Sequence, residues 1–247
     1  MNITSLLRVR NGELLIEDTL EHLSEFSDEI YVFDDASTDK TVSICQKHPK
    51  VKKVLRNYFH NPSQAFIQTA QRKLLLDYAR VDSKNQWFLS TDIDDRFIFN
   101  QSILDNCDKY SGISVMCFDA YMTKNNCKPY KKGEKLEDLR KYWGPEYRDI
   151  VLLFKKNKSS YDLKMAGQRQ PNIVGKIVDG GYLKHYGKCL SVKQWEEKCK
   201  YYMKSMPMLA EKWEKRLGRA IHVKSDFDRD LLNWKEIISG EKTLTKI

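Results

Sequence analysis

Along the first half of the chain, short apolar runs alternate with segments whose apolar positions recur every three or four residues. Residues 3–9 read as a strand, and residues 14–26 place Ile16, Leu20 and Leu23 on one helical face. "EIYVF" (29–33) is a second, buried strand, followed by a helix over 38–47 with Val42 and Cys45 facing inward. "VKKVLRNYF" (51–59) is a third strand, and a long helix over 64–80 carries Phe66, Ala70 and Leu74 at i, i+4 spacing. "QWFLSTDI" (86–93) gives a fourth strand, 100–110 a helix, and "ISVMCF" (113–118) a fifth strand. Strands alternating with helices of about 10–15 residues predict β-α-β units and a mostly parallel sheet, whose ligands bind beyond the carboxyl ends of the strands.

After about residue 120 this rhythm breaks. Residues 128–147 are polar and loop-like, "DIVLLFKK" (149–156) is another strand, and 165–188 is rich in Gly, Gln and Asn. Residues 191–240 read as helical, with Trp195, Tyr202, Leu209, Trp213, Leu217, Leu231 and Trp234 as inward anchors, and Pro207 divides that stretch into two helices. Neither an internal repeat nor a low-complexity linker interrupts the 247 residues, so a single domain with a helical elaboration is the expected organisation.

Composition adds limits. An apolar content of 41% supports a true core. No apolar run approaches the roughly 18–20 residues that span a bilayer, and the N-terminus lacks a signal-peptide pattern, so a cytoplasmic location is expected. The six cysteines lie far apart with no C-x-x-C pair, which predicts reduced, mostly buried thiols and argues against zinc clusters. The net charge of +9 permits an acidic partner, although interspersed Glu134, Glu137, Asp138 and Glu146 favour a solvated basic surface.

Two acidic clusters carry the candidate chemistry, both at predicted strand ends. In "FDDASTDKT" (33–41), Asp34 and Asp35 stand side by side, and an acidic helix-capping turn would account for them. In "WFLSTDIDDRF" (87–97), a strand delivers Asp92, Asp94 and Asp95 onto a turn, with alternation pointing Asp92 and Asp94 to one side. Carboxylates this close repel unless a cation compensates them, and an all-oxygen set suits Mg²⁺ or Mn²⁺. An acidic loop, or a helix start with Asp95 near its cap, is the plainer alternative. A calcium loop is excluded by the missing glycine and distal glutamate.

Together with Arg10-Asn11-Gly12-Glu13 after the first strand, these two motifs make the chain resemble the family 2 glycosyltransferases of the GT-A fold. The form W-x-L-x-x-D-x-D-D-R and the later stretch "YLKHYGKCLSVKQWEEKCKYY" (182–202) look most like the lipopolysaccharide-core glucosyltransferase branch. The likeness covers residues 1–119 well and 149–205 loosely. It implies an α/β fold of the GT-A nucleotide-diphospho-sugar transferase type, with a mostly parallel central sheet flanked by helices and a helical C-terminal extension. The implied division is a domain over 1–190, with a nucleotide-sugar half (1–119) and an acceptor-side half (120–190), and an extension over 191–247.

The resemblance also implies roles. Asp35 would bind the base or ribose of a nucleotide sugar, which an acceptor-only carboxylate can do. Asp34, Ser37 and Thr38 would shape the turn and cap the next helix. Asp94 and Asp95 would hold the ribose and a divalent cation, Mn²⁺ or Mg²⁺, with Asp92 nearby, and His185 would be a further metal or diphosphate contact. Arg10, Gln71 and Arg72 are candidate nucleotide or phosphate contacts. The catalytic base departs from the family pattern. Relatives carry His-Glu or Glu-Asp in the second half, where this chain reads "MAGQRQPNIVGKIVDGG" (165–181), leaving Asp179 and Asp119 as candidates.

The implied partners are a nucleotide-sugar donor, a UDP-sugar first, and a glycan or lipid-linked acceptor, with peripheral membrane contact through the lysines. Two other readings stand beside this one. A D-x-D phosphohydrolase usually places its aspartates after the first strand, and here they follow the fourth. A basic nucleic-acid- or polyanion-binding domain fits the charge, but no recognised nucleic-acid motif accompanies it, so no nucleic acid is expected.

Overall fold

The alternation of apolar and polar segments becomes strands and helices close to where the pattern places them. The computed structural model describes residues 1–60, 64–165 and 167–247, and the backbone alone of 64–66; the expected inward role of Phe66 lies outside the described residues. In the first unit (residues 1–115 and 150–181), β1 (Ile3–Val9), β2 (Glu29–Asp35), β3 (Val51–Asn57) and β4 (Trp87–Asp92) alternate with α1 (Ile16–Ser24), α2 (Thr41–Lys47) and α3 (Gln64–Asp82). β1 pairs in parallel with β2 and β4, and β2 in parallel with β3, the arrangement that β-α-β crossovers produce. β5 (Asp95–Phe99) and α4 (Gln101–Asp105) follow, then β6 (Gly112–Tyr121), β7 (Tyr142–Lys155), β8 (Ser159–Ser160), β9 (Asn172–Ile173) and β10 (Ile177–His185). The sheet order is β3-β2-β1-β4-β7-β6-β10-β5, with β7 antiparallel to β4.

On one face of this sheet, Leu6, Tyr31, Phe33, Phe88 and Phe154 pack against Leu75, Leu76 and Ala79 of α3. Because side chains alternate with period two along a strand, the same face continues toward the carboxyl ends through Arg8, Asp35 and Asp92. The core face and the acidic face are one surface.

Two helix expectations change. Ala70 and Leu74 are solvent-facing, Leu74 being 55% exposed, whereas Leu75 and Leu76 are buried. The inward stripe also contains Gln71 and Arg72, so a stripe counted on apolar residues alone settles one position away. The segment 38–47 starts its helix only at Thr41, and Val42 is half-buried.

The second unit (residues 116–149 and 182–247) contains the later part of β6, the early part of β7, α5 (Val192–Ser205), α6 (Ala210–Glu214), α7 (Trp234–Ser239) and β11 (Thr245–Lys246), which pairs with β7. Residues 191–240 are therefore not continuously helical: 215–233 is turn and bridge structure, and Leu209 is exposed. Trp234 is the aromatic hub here, its ring 5.2 Å from Trp143, 5.7 Å from Tyr182 and 6.0 Å from Phe118. The polar stretch 128–141 is pinned by buried Arg140, which donates to the carbonyls of Cys189, Leu139 and Lys128. The six cysteines are free thiols, five of them buried, and burial pushes the Cys45 thiol up to about 12. Among the described residues, no helix is long and apolar enough to cross a membrane.

The corrected face of α3 gives a direct check. Leu75→Ala should cost about 2–5 kcal/mol of unfolding free energy, while Leu74→Ala should stay within about 0.5 kcal/mol of the parent. Urea midpoints of the two variants decide it, and equal losses would put the helix in the other rotation.

Candidate functional site

Two turns at the carboxyl end of the sheet are bonded together by short polar side chains. Asn11 and Ala36 both adopt left-handed backbone (φ 47° and 58°), a conformation residues other than glycine hold only when neighbours enforce it. The enforcement is visible. Asn11 N donates to Ser37 Oγ at 2.8 Å, Thr38 N to Asn11 Oδ1 at 2.8 Å, Gly12 N to Thr41 Oγ1 at 2.8 Å and Glu13 N to Asp39 Oδ2 at 3.0 Å. A Cβ on Gly12 would lie 2.3 Å from Ile93 Cδ1, so this glycine lets the 92–95 turn close down on the other two. Thr19 Oγ1 holds that turn from below by donating to Ile93 O at 2.7 Å.

The paired aspartates are unequal because they point to opposite faces of β2. Asp34 Oδ2 accepts from Ser37 N at 3.1 Å and Arg56 Nε at 3.2 Å, a turn-shaping role. The expected capping by Asp34, Ser37 and Thr38 falls instead to Asp39, whose Oδ1 accepts from Thr41 N at 3.0 Å. Asp35 is fully buried on the α3 face. Its Oδ1 accepts from Gln71 Nε2 at 2.6 Å and Asn57 Nδ2 at 3.1 Å; its Oδ2 lies 3.1 Å from His60 Nδ1 and 3.8 Å from Arg8 Nη2. Arg8 Nε also donates to Gln71 Oε1 at 2.6 Å, which fixes the amide so that its NH₂ faces Asp35.

β4 and β5 build the second cluster. Asp92 ends β4, Ile93 and Asp94 form the turn, and Asp95 begins β5, so the alternation expected to align Asp92 with Asp94 stops at Asp92. Arg72 Nη2 grips Asp92 at 2.6 and 2.9 Å, and Arg169 Nε is 3.4 Å from it. Burial works to raise the Asp92 pKa, but Arg72 and Arg169 outweigh it and hold the carboxyl below its ordinary value. Fully buried Asp95 accepts from Asp92 N at 2.9 Å and is paired with Arg169. A carboxylate oxygen of Asp94 and one of Asp95 lie within 4.8 Å of each other, a hard-oxygen pair whose chemistry fits a divalent cation.

Asp35 and Asp92 flank Arg8 on neighbouring strands, and consecutive residues of α3 serve them, Gln71 the first and Arg72 the second. Arg8, Asn57, His60 and Arg169 are the members absent from the sequence expectations. Arg8, a lone cation inside an apolar strand, is the one with a sequence signal. Arg10, expected here, is exposed just past β1.

The remaining expected residues stand elsewhere. Asp179, exposed on β10, accepts from Ser114 Oγ of β6; its neighbour Gly180 accepts from Asn100 N, at the end of β5 away from Asp95, roughly 16 Å of strand distant. In the second unit, Asp119 lies 3.1 Å from Lys188 Nζ and 3.2 Å from Arg148 Nη2. Burial opposes its charge, yet those cations and His185 hold its carboxyl far below the usual range. His185 ends β10 in that same unit.

Comparison with known proteins adds the following. The sequence model described as "Glycosyl transferase family 2" matches residues 7–169. Two uncharacterized proteins, Mb3815c of Mycobacterium bovis and Rv3786c of Mycobacterium tuberculosis, are each 36% identical over 107 residues, covering 40% of this chain and 26% of their own length. The chain thus spans about a quarter of the length of the curated relatives it matches. Among solved structures, S. aureus TarS (residues 1–349) aligns at TM-score 0.44 with 15% identity, covering 83% of this chain and 64% of that one. The glucosyl-3-phosphoglycerate synthase of M. tuberculosis, solved with Mn²⁺, UDP-glucose and phosphoglyceric acid, aligns at 0.32 with 17% identity over 48% of this chain and 44% of that one.

The Asp92 cluster predicts a pH dependence. Its folded-state pKa lies below the unfolded value, so its stabilisation is complete above about pH 5 and is lost as pH falls below about 4. Asp92→Asn should cost about 3 kcal/mol at pH 7 by stranding buried Arg72, and should flatten the acid limb of the stability curve. Urea unfolding from pH 3 to 7 reads both, and an acid limb unchanged in the variant would remove Asp92 as its source.

Proposed function

Because the chain belongs to glycosyl transferase family 2, we propose that it moves a sugar from a uridine-diphosphate donor to a hydroxyl acceptor, with inversion at the anomeric carbon. Its α/β architecture, a mostly parallel central sheet flanked by helices, is the GT-A fold that the resemblance implies. The observation that carries the reading is the convergence of Arg8, Asp35 and Asp92 on one face at the carboxyl ends of three adjacent strands, where α/β sheets bind nucleotides.

Asp35 takes the base. Asp35 is fully buried beneath His60, so the uracil N3–H reaches Oδ2 by taking the place of the His60 ring, while Gln71 and Asn57 stay on Oδ1. Cytosine presents a bare nitrogen at that position and leaves the carboxylate facing a lone pair. Gln71 and Arg8 hold Asp35 in place, Arg72 and Arg169 keep Asp92 ionised, and Arg169 orients Asp95, beside the ribose and diphosphate. Asp94 and Asp95 are the residues that would hold the metal. When bound, Mn²⁺ or Mg²⁺ neutralises charge on the departing diphosphate.

Inversion needs a carboxylate to receive the acceptor hydroxyl's proton. The candidates for it are Asp119 and Asp179, and Asp179 stands at the end of β5 away from Asp95. The acceptor is a glycan, free or lipid-linked.

Calorimetric titration tests the donor half. UDP should bind at least about tenfold more tightly than CDP, the discrimination of one buried charge-assisted hydrogen bond. Mn²⁺ should strengthen UDP binding, and Asp94→Ala should remove that increment while keeping the metal-free affinity, because Asp94 sits in a turn rather than in the buried ion-pair network. Equal UDP and CDP affinity would refute the role of Asp35; an undiminished Mn²⁺ increment would remove Asp94 from the metal site.

A further inference from the structure

Within the second unit lies a cavity of about 300 Å³, the size of a monosaccharide site, lined from β6, β7, α5, α6 and the loops that follow β10 and α6. Its wall includes five side chains that are cationic at neutral pH: Arg148, Lys188, Lys198, Lys212 and Arg216. Two carboxylates share it, Asp119 and Asp226, so cations outnumber carboxylates by three. The carboxylates act as struts. Lys188 Nζ lies 3.1 Å from Asp119 and 2.7 Å from Asp226, Arg216 Nη2 is 2.6 Å from Asp226, and Arg148 Nη2 is 3.2 Å from Asp119. Lys198 is tied down by donating to Gly187 O at 2.7 Å.

Holding cations rigidly in this way removes the ordering cost that flexible surface lysines meet on binding an anion. The other wall is aromatic. Trp213 stacks on Tyr202 with centroids 4.5 Å apart, and the Arg216 guanidinium lies 5.2 Å from the Trp213 ring. Trp213 Nε1 is buried with no hydrogen-bond acceptor among the described residues, a donor left for a ligand. Burial works against the Lys188 charge, but Asp119, Tyr121 and Asp226 outweigh it, so the ammonium stays charged well above neutral pH.

We propose that this cavity binds an oxyanion, a phosphate monoester or a carboxylate, carried on a saccharide that the enzyme uses as its acceptor. Forked guanidinium groups suit both oxyanions. The assignment to the acceptor rests on the glycosyltransferase reading; the assignment of an anion site rests on the cavity alone.

The test is calorimetry on the full chain with glucose 6-phosphate, glucuronate and glucose, and with UDP in parallel. One of the two anionic sugars should bind and neutral glucose should not, the tighter one naming the oxyanion. Lys212→Glu, a change on an exposed helical residue, should weaken that anion by about tenfold or more, as expected for a charged hydrogen-bond partner. Lys198→Ala should do so less severely, and UDP affinity should be unchanged in both. Glucose binding as tightly as the anions, an anion affinity indifferent to Lys212→Glu, or a parallel loss of UDP binding would each overturn the proposal. UDP binding without either anion refutes the cavity alone, and anion binding without UDP refutes the donor reading while leaving the cavity standing.

Discussion

The structure of the first unit is governed by the cost of burying carboxylates. Asp34, Asp35 and Asp95 are fully buried and Asp92 half-buried, on neighbouring strand ends where their charges repel. A buried ion without partners costs several kcal/mol, so each must meet donors held in fixed positions. Arg56 supplies them to Asp34, and Arg8, Arg72, Arg169 and Gln71 to the others, and the inward placement of Gln71 and Arg72 sets the rotation of α3. Remove the acids and nothing in the apolar pattern would turn Gln71 and Arg72 inward.

That constraint also explains why the core and the candidate site are continuous. Leu6 and Phe33 end an apolar face that becomes Arg8 and Asp35 two residues later, and on β4 Phe88 is followed on that face by Ser90 and Asp92, so the packing that fixes α3 against the sheet also fixes the carboxylates. The turns above them are zipped by Asn11, Ser37, Thr41 and Asp39, which hold Asn11 and Ala36 in left-handed backbone. Strain of this kind persists only where the surroundings over-determine it, and here they do.

Much of this was readable from residue pattern. The four parallel strands and their helices follow apolar periodicity, and β1 coincides with its expected span. Asp35 could be separated from Asp34 only by analogy, since strand alternation says that they differ but not which one faces α3. An apolar count turns α3 one position away from its true rotation, because buried Gln71 and Arg72 occupy its inner stripe. β5 went unseen behind its acidic start, where Asp95 is stabilised by a partner 74 residues away, Arg169. In 191–240, residues 215–233 have helix-compatible composition at their start, yet Trp143, Met122 and Arg229 draw them into backbone bridges instead. Long-range pairing decided each of these, and local sequence does not carry it.

The proposed uridine-nucleotide site lies at the carboxyl end of β1, β2 and β4, with Asp35 on the base. A crystal structure of the protein with a UDP-sugar and Mn²⁺ tests it most directly. The account predicts uracil N3–H on Asp35 Oδ2, the ribose beside Asp92, and the metal on Asp94 and Asp95. Nucleotide density away from these strand ends, with Asp35 still enclosed by Gln71, Asn57 and His60 alone, would contradict it.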